Sequence, residues 1–491
     1  MSLKITLNLR RFNEKLRNIF NMEASVAHHI TDDYTEVYRS LPLKLQLAYG
    51  VGHVLNDVCA SMWFTYLLVF FHLVLEFSNW QTGFMLLVGQ IADALATPFV
   101  GYHSDESDGF CFWRYGRRKI WHLVGVICVL GTFPFIFAPC FGCEYSSRSA
   151  QMFYYCMFIV IFQFGWAAVQ ISHLSLIPEL TPNEHDRTKL TAIRYCFTVI
   201  SNVLVYIITW IVLHMNDGET NKIGPSDGPK FQHVVWSILA LGVVCSIIFH
   251  VYVKEWDNDV SQNVRGSQLR TSVRDLLLSC RVYQVAAVYM SSRLFVNLTQ
   301  VFIPLYLHET LEMPASALAS VPLVMFLGSL VTSLFIEKIN RCCGRKLTYT
   351  LGALLGMAAC VWIRLGSEPE LPVDWPHRLC VYSIGLLIGS GGSIILVSSL
   401  GVTTDLIGEK TDSGAFVYGI MSFTDKIANG VAVVLIQYAH SDANDRFFYR
   451  DAIAFVCGGS ALLGTIAVLS LVRREALGEY TRVPDYNSIN T

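Results

Sequence analysis

Apolar runs of about 20 residues, long enough to cross a bilayer as a helix, recur along nearly the whole chain. Twelve are read, at approximately 44–72, 80–102, 118–140, 151–178, 188–214, 231–253, 280–307, 316–338, 347–366, 378–407, 413–438 and 449–472. In lipid the backbone must satisfy its own polar groups, and a helix does so within one segment. The composition agrees: 53% of the 491 residues are hydrophobic and 15% are charged. A soluble domain carries about 25% charged residues. The expected fold class is an all-α membrane protein with twelve transmembrane helices. Residues 1–40 lack an apolar core, so no cleavable signal peptide is expected and the first span serves for insertion.

The basic residues orient the spans, because cytosolic connections are enriched in Lys and Arg. Arg114, Arg117, Arg118 and Lys119 follow span two; Lys254, Arg265, Arg270, Arg274 and Arg281 follow span six; Lys338, Arg341, Arg345 and Lys346 follow span eight. The other connections carry few. Both termini are therefore expected in the cytosol. The polar stretch 254–279 divides the chain into a tail (1–43), a six-helix half (44–253), a linker, a second six-helix half (280–472) and a tail (473–491). A repeat supports the division. Glu179-Leu180 ends span four and is followed seven residues later by Asp186; Asp405-Leu406 ends span ten and is followed by Asp412. Two matched halves suggest a duplicated transporter.

The turn after span two, "GYHSDESDGFCFWRYGRRKI", packs an acid against a basic cluster. Gly101 would let neighbouring helices approach, and Asp105 would pair with Arg114, Arg117 and Arg118 beyond Gly116. With Glu179, Asp186, Asp405 and Asp412 these form a candidate cytosolic gate. The plainer alternative is that the cations serve only as topology signals.

Ionisable groups inside spans are expensive, so they usually face a cavity and serve transport. Asp57 lies mid-span with His53 four residues earlier on its face, and Asp93 is mid-span with Gln90 and Thr97. His173 is a further proton-handling candidate. Arg194 sits nearer the cytosolic end, suited to pairing with Asp57 or to a gate. In the second half Arg293 begins a polar stripe with Asn297 and Gln300, and Lys426 is mid-span with Ser422 and Asn429. Asp425 points about 100° away from Lys426 and suits another helix. Acids in the first half and bases in the second would hold a zwitterion between them: its ammonium toward Asp57 or Asp93, its carboxylate toward the Arg293 fork. Structural salt bridges and hydrogen bonds are the alternative for each of these groups. The sequon at Asn297 falls inside a span and should be unused.

Most cysteines occur singly in apolar runs, as small hydrophobes. Cys140 and Cys143 read as two unpaired thiols at a helix end, with a redox pair or metal clip as the alternative; Cys342-Cys343 reads as free thiols or a palmitoylation site. Phosphate-cradling loops, catalytic acid pairs and zinc spacings are absent. No enzyme, cofactor, metal site or nucleic-acid partner is expected. In the first tail, Leu9, Phe12, Leu16 and Ile19 oppose Arg10, Arg11, Lys15 and Arg17, which suits either an anionic lipid surface or a mobile segment. Tyr-x-x-apolar tetrads begin at Tyr34, Tyr480 and Tyr486, the form read by endolysosomal sorting adaptors.

Gly101, Asp105, Gly116, Arg117 and Lys119 resemble the loop signature of the major facilitator superfamily. The insertion between the two parts, "AYGVGHVLNDVCASMWFTYLL" and the "PEL" element look more like its glycoside-pentoside-hexuronide cation symporter branch. That resemblance implies the two-half major facilitator fold. It matches Asp57 to an acidic sugar-binding position, Asp93 to a cation-site acid, Arg194 to a sugar-site cation and Lys426 to the lysine of span eleven. Thr97 and Gln170 stand where further cation-site acids occur, which argues against sodium coupling. "FIVIFQFGWAAVQISHLSLIPEL" and "DLIGEKTDSGAFVYGIMSF" look like a lysosomal and melanosomal group within the branch that imports cysteine from the cytosol. The implied activity is secondary active transport of cysteine by alternating access. The alternatives are a lipid, lysolipid or sugar–cation symporter, and a receptor or scaffold that kept the fold.

Overall fold

The computed structural model describes residues 41–106, 115–143, 145–181, 184–214, 222–255, 280–366, 375–407, 414–440 and 445–471, and among these described residues there are twelve long helices. They are α1 (Leu43–Val74), α2 (Asn79–Glu106), α3 (Arg117–Ile136), α4 (Arg148–Ser175), α5 (Glu184–His214), α6 (Gly228–Tyr252), α7 (Cys280–Leu305), α8 (Ala317–Cys343), α9 (Arg345–Gly366), α10 (Trp375–Ile407), α11 (Gly414–Ala439) and α12 (Phe448–Ser470). Among the described residues there is no strand. Ten of the helices are long and apolar enough to cross a membrane by length and composition, and the chain is a multi-pass membrane protein. The two outside that set, α7 and α11, are also long enough to span; they carry Arg293, Asp425 and Lys426.

The two halves repeat one packing scheme. In the first, α4 packs on α2 and α3, and α1 on α5 and α6; in the second, α10 packs on α8 and α9, and α7 on α11 and α12. Between the halves, α2 meets α11, α5 meets α8, and α1 meets α7. Small residues permit the closest approaches. A Cβ on Gly125 of α3 would lie 2.7 Å from the Gly165 carbonyl of α4; a Cβ on Gly391 of α10 would lie 2.8 Å from the Gly352 carbonyl of α9.

A further repeat, missed in the sequence, ends α1 and follows α7. Each helix loosens into a π turn, Phe70–Val74 and Tyr306–Thr310. Each then stops at a glutamate in the left-handed region, Glu76 (φ 57°) and Glu312 (φ 52°). The same hydrogen bonds close both ends: Leu75 N–H to Phe70 O and Phe77 N–H to Phe71 O, matched by Leu311 to Tyr306 and Met313 to Leu307. A left-handed non-glycine residue is uncommon, so its recurrence at equivalent places marks a duplicated cap.

One expectation is corrected after α3. Cys140 and Cys143 are joined as a disulfide, with Cα atoms 5.4 Å apart, rather than lying as two unpaired thiols. Gly142 adopts φ 75° there, which folds the short turn back far enough to bring the two together.

Candidate functional site

The mid-helix polar residues fall into three groups. In the first, His53 and Asp57 of α1 face Arg194 and Thr198 of α5. His53 Nδ1 lies 2.9 Å from Asp57 Oδ1, Arg194 Nη2 lies 2.9 Å from His53 Nε2, and Thr198 Oγ1 donates to Asp57 Oδ2 at 3.0 Å. Arginine can only donate, so Nε2 accepts and the His53 proton sits on Nδ1, donated to Asp57. A neutral imidazole thus bridges a buried anion to a cation. Of the two roles open to Arg194, a pair with Asp57 or a gate, the first is not made directly: His53 stands between them.

The second group joins the halves. Lys426 Nζ of α11 lies 2.7 Å from Asp93 Oδ1 of α2 and donates to Thr97 Oγ1 at 2.9 Å. Next to it, Asp425 accepts from Asn429 at 2.6 Å and faces Arg293 Nε of α7 at 3.8 Å. Arg293 also donates to the Tyr289 hydroxyl at 3.2 Å. Its side chain is 32% exposed while that of Asp425 is 11% exposed. Arg293 is thus half-buried at mid-helix, where a charge is costly unless it has a polar partner. The third group lies deeper between the halves: Gln300 of α7 donates to Thr65 of α1 at 3.1 Å and to Tyr206 of α5 at 3.3 Å. Asn297 is half-buried on the same helix.

Each cation is therefore already matched with a local acceptor, and a ligand's carboxylate must compete for it. Arg293 is the easiest to recruit, because its pair with Asp425 is long and its surface is open. Sequence reasoning missed Thr198, Tyr289, Thr65 and Tyr206. The first two were findable, at four residues after Arg194 and four before Arg293, one helical turn on the same face. His173 is fully buried, stacks on Tyr49 at 4.1 Å between ring centroids and holds the Tyr49 carbonyl with Nε2 at 2.8 Å.

On the face that bears the basic cluster, Gly116 (φ 102°) starts α3, and the Glu255 carboxylate caps it. Glu255 accepts from the backbone N–H groups of Arg118 at 3.0 Å and Lys119 at 3.1 Å, where a helix N-terminus favours an anion. Arg117 follows Gly116 as the first residue of α3. Arg118 Nε lies 3.1 Å from Glu179, and its guanidinium also donates to the Ser175 carbonyl at the end of α4. Burial pushes the Glu179 carboxyl up to about 7, with Arg118 pulling it the other way. Asp186 is buried and lies 3.8 Å from Lys189. The acids seen against the cluster are thus Glu179 and Glu255. Gly101 does not make the expected close approach: a Cβ there would meet nothing among the described residues. Arg114, Asp412, Tyr480 and Tyr486, and the side chains of Asp105 and Asp405, lie outside the described residues.

On the opposite face the halves are tied together. His72 faces Glu309 at 3.3 Å, and Lys222 bonds Glu312 at 2.8 Å. Glu312 also takes Arg446 at 3.1 Å, and His308 holds the Ile223 carbonyl at 3.1 Å.

A two-fold repeat of six helices with charged groups at mid-depth between the halves defines a secondary transporter of the major facilitator superfamily. Residues 48–441 match the MFS/sugar transport protein family, and the chain belongs to that family. It is 42% identical over 460 residues to human major facilitator superfamily domain-containing protein 12, covering 88% of this chain and 94% of that one. The mouse protein of the same name is 41% identical over 459 residues, with the same coverage. Among solved structures, the D-xylose-proton symporter superposes with a TM-score of 0.65 at 14% identity, covering 88% of this chain and 98% of that one. At that identity the likeness shows the fold alone.

Proposed function

We propose that the chain carries a small zwitterionic amino acid, cysteine, from the cytosol into lysosomes or melanosomes by alternating access, with both termini cytosolic and 44–253 rocking against 280–472. The observation that carries this reading is the open Arg293 side chain beside a buried acid–base pair that spans the halves. The carboxylate of the substrate would take Arg293, and its ammonium would take Asp57 or Asp93. Cysteine itself and the organelle rest on similarity to the cysteine-importing group. The basic cluster with Glu179 acts as the cytosolic gate, and the Tyr480 and Tyr486 tetrads recruit sorting adaptors.

Uptake of labelled L-cysteine, a hexose and a lysolipid into vesicles bearing the protein tests this. Cysteine flux alone is expected. Hexose or lysolipid flux without cysteine flux would replace the reading with another of its class, and no flux of any class would favour a scaffold.

A further inference from the structure

Three further histidine rings lie in file between the inner Asp57 site and the face that bears the basic cluster. His250 near the end of α6 is hydrogen-bonded through Nδ1 to the Tyr115 hydroxyl at 2.8 Å. Its Nε2 lies 3.1 Å from His122 Nδ1 on α3. His122 Nε2 lies 3.1 Å from the Gly52 carbonyl, where α1 breaks just before His53. The His122 ring stands 6.1 Å from that of His173, and the His173 ring stands 5.5 Å from that of His53. His53, His122 and His173 are 4%, 0% and 0% exposed, so no bulk water separates them. The bonds run in one direction: Tyr115 O–H donates to His250, His250 Nε2–H donates to His122, and His122 Nε2–H donates to Gly52. His173 Nδ1 is buried with no hydrogen-bond partner. A buried orphan of that kind calls for a role.

We infer that His250, His122, His173 and His53 form a proton file connecting the basic-cluster face to Asp57, so that the proton is the coupling ion of the proposed transport. This deepens that reading and rests on it. A proton entering at His250 Nδ1 releases one from Nε2 to His122 Nδ1. His122 gives up its Nε2 proton, now held by Gly52, once its ring turns toward His173. His173 accepts on the orphan Nδ1 and releases its Nε2 proton, now held by the Tyr49 carbonyl, to His53 Nε2. His53 then passes its Nδ1 proton to Asp57. One proton enters, one arrives on the carboxylate, and every ring ends neutral in its other tautomer until it rotates back.

The last step has a lock. His53 Nε2 cannot accept a proton while Arg194 Nη2 occupies it. A substrate carboxylate that draws Arg194 away frees the nitrogen, so substrate binding licenses protonation of Asp57. The charged groups facing the file are Asp57 and Arg194 at the inner end, and Lys119 and Glu255 at the outer end; Lys119 Nζ donates to the His250 carbonyl at 3.1 Å. Asp57 is the one anion among them at the inner end.

The test uses purified full-length protein in liposomes. His122→Gln keeps a donor for Gly52 and a partner for His250 but cannot relay a proton; His250→Gln breaks the file one step earlier, and a monodisperse elution profile verifies the fold of each. Two readouts are taken. Counterflow of labelled L-cysteine needs no net proton and should stay within about twofold of wild type, while uptake driven by a pH gradient should fall at least about tenfold. In an Arg194→Ala background, which opens the lock without any substrate, a pH jump followed by infrared spectroscopy reads the carboxyl band that Asp57→Asn removes; adding either histidine variant should slow its rise at least about tenfold. Absence of cysteine counterflow in wild type would sink the transport reading and leave the infrared rate to decide the file. An unchanged rate in both variants, or no band assignable to Asp57, would overturn it.

Discussion

Lys426 on α11 and Asp93 on α2 close to 2.7 Å across the boundary between the halves, with Thr97 as a second acceptor for the same ammonium. Both side chains are largely buried, at 14% and 9% exposure. Removing one partner leaves the other as an uncompensated buried charge, at a cost of about 3–5 kcal/mol. Asp93→Asn and Lys426→Gln should each lower the thermal midpoint of the purified protein. The double variant should recover most of the loss, because neither charge remains. Singles that melt with wild type would show the pair to be structurally idle.

At Arg293, replacement by Gln should reduce flux more than tenfold while the protein stays folded in the membrane. Asp57→Asn should do the same. The structure separates the two residues: Asp57 bonds His53 and Thr198, whereas Arg293 faces Asp425. Combining them should therefore not restore flux. Recovery in the double variant would mean that the two form a salt bridge in another conformation, and near-wild-type flux in either single would remove that residue from the site.

Glu179 predicts a pH dependence of stability. Its folded carboxyl sits at about 7, above the ordinary value of 4.5, and burial is the cause. Between those values the folded protein holds a proton that the unfolded chain has lost, so this contribution is complete below about pH 4.5 and is lost as pH rises toward 7. Glu179→Gln should flatten the fall of the thermal midpoint across that window. Parallel profiles for variant and wild type would show that Glu179 does not titrate there.

Glu312 carries the opposite sign. Its hydrogen bond with Lys222 and the neighbouring Arg446 hold its carboxyl below the usual value. The tie between the halves should persist above about pH 4.5 and weaken as the pH falls through the lowered value. Glu312→Gln should raise labelling of a cysteine introduced at Ile223 by a membrane-impermeant reagent added to that face. Labelling no faster than in the parent would show that the contact does not hold the face shut.

Most of the spans and the groups that interrupt them were legible because hydropathy and helical period are local properties. Which charges pair was not. A helical wheel puts Asp93 and Gln90 near one face, but the sliding register between α2 and α11 decides that Lys426, and not Arg293, reaches Asp93. The same register sends Asp425 to Arg293, as its 100° offset from Lys426 allowed without naming the partner. The duplicated caps at Glu76 and Glu312 do carry a readable His-x-x-Leu-Glu repeat, at His72–Glu76 and His308–Glu312, but that each ends a helix in the left-handed region is a backbone property the residue types do not announce. The disulfide needed the reversal at Gly142, which the spacing of Cys140 and Cys143 does not dictate.

Recognition of both charges on one ligand is the central claim, and competition in counterflow tests it most directly. Vesicles bearing the protein would exchange labelled L-cysteine against excess unlabelled L-cysteine, cysteamine, which lacks the carboxylate, or 3-mercaptopropionate, which lacks the ammonium. Only L-cysteine should compete strongly, with each one-charge analogue at least about tenfold weaker. Equal competition by either analogue would contradict the account.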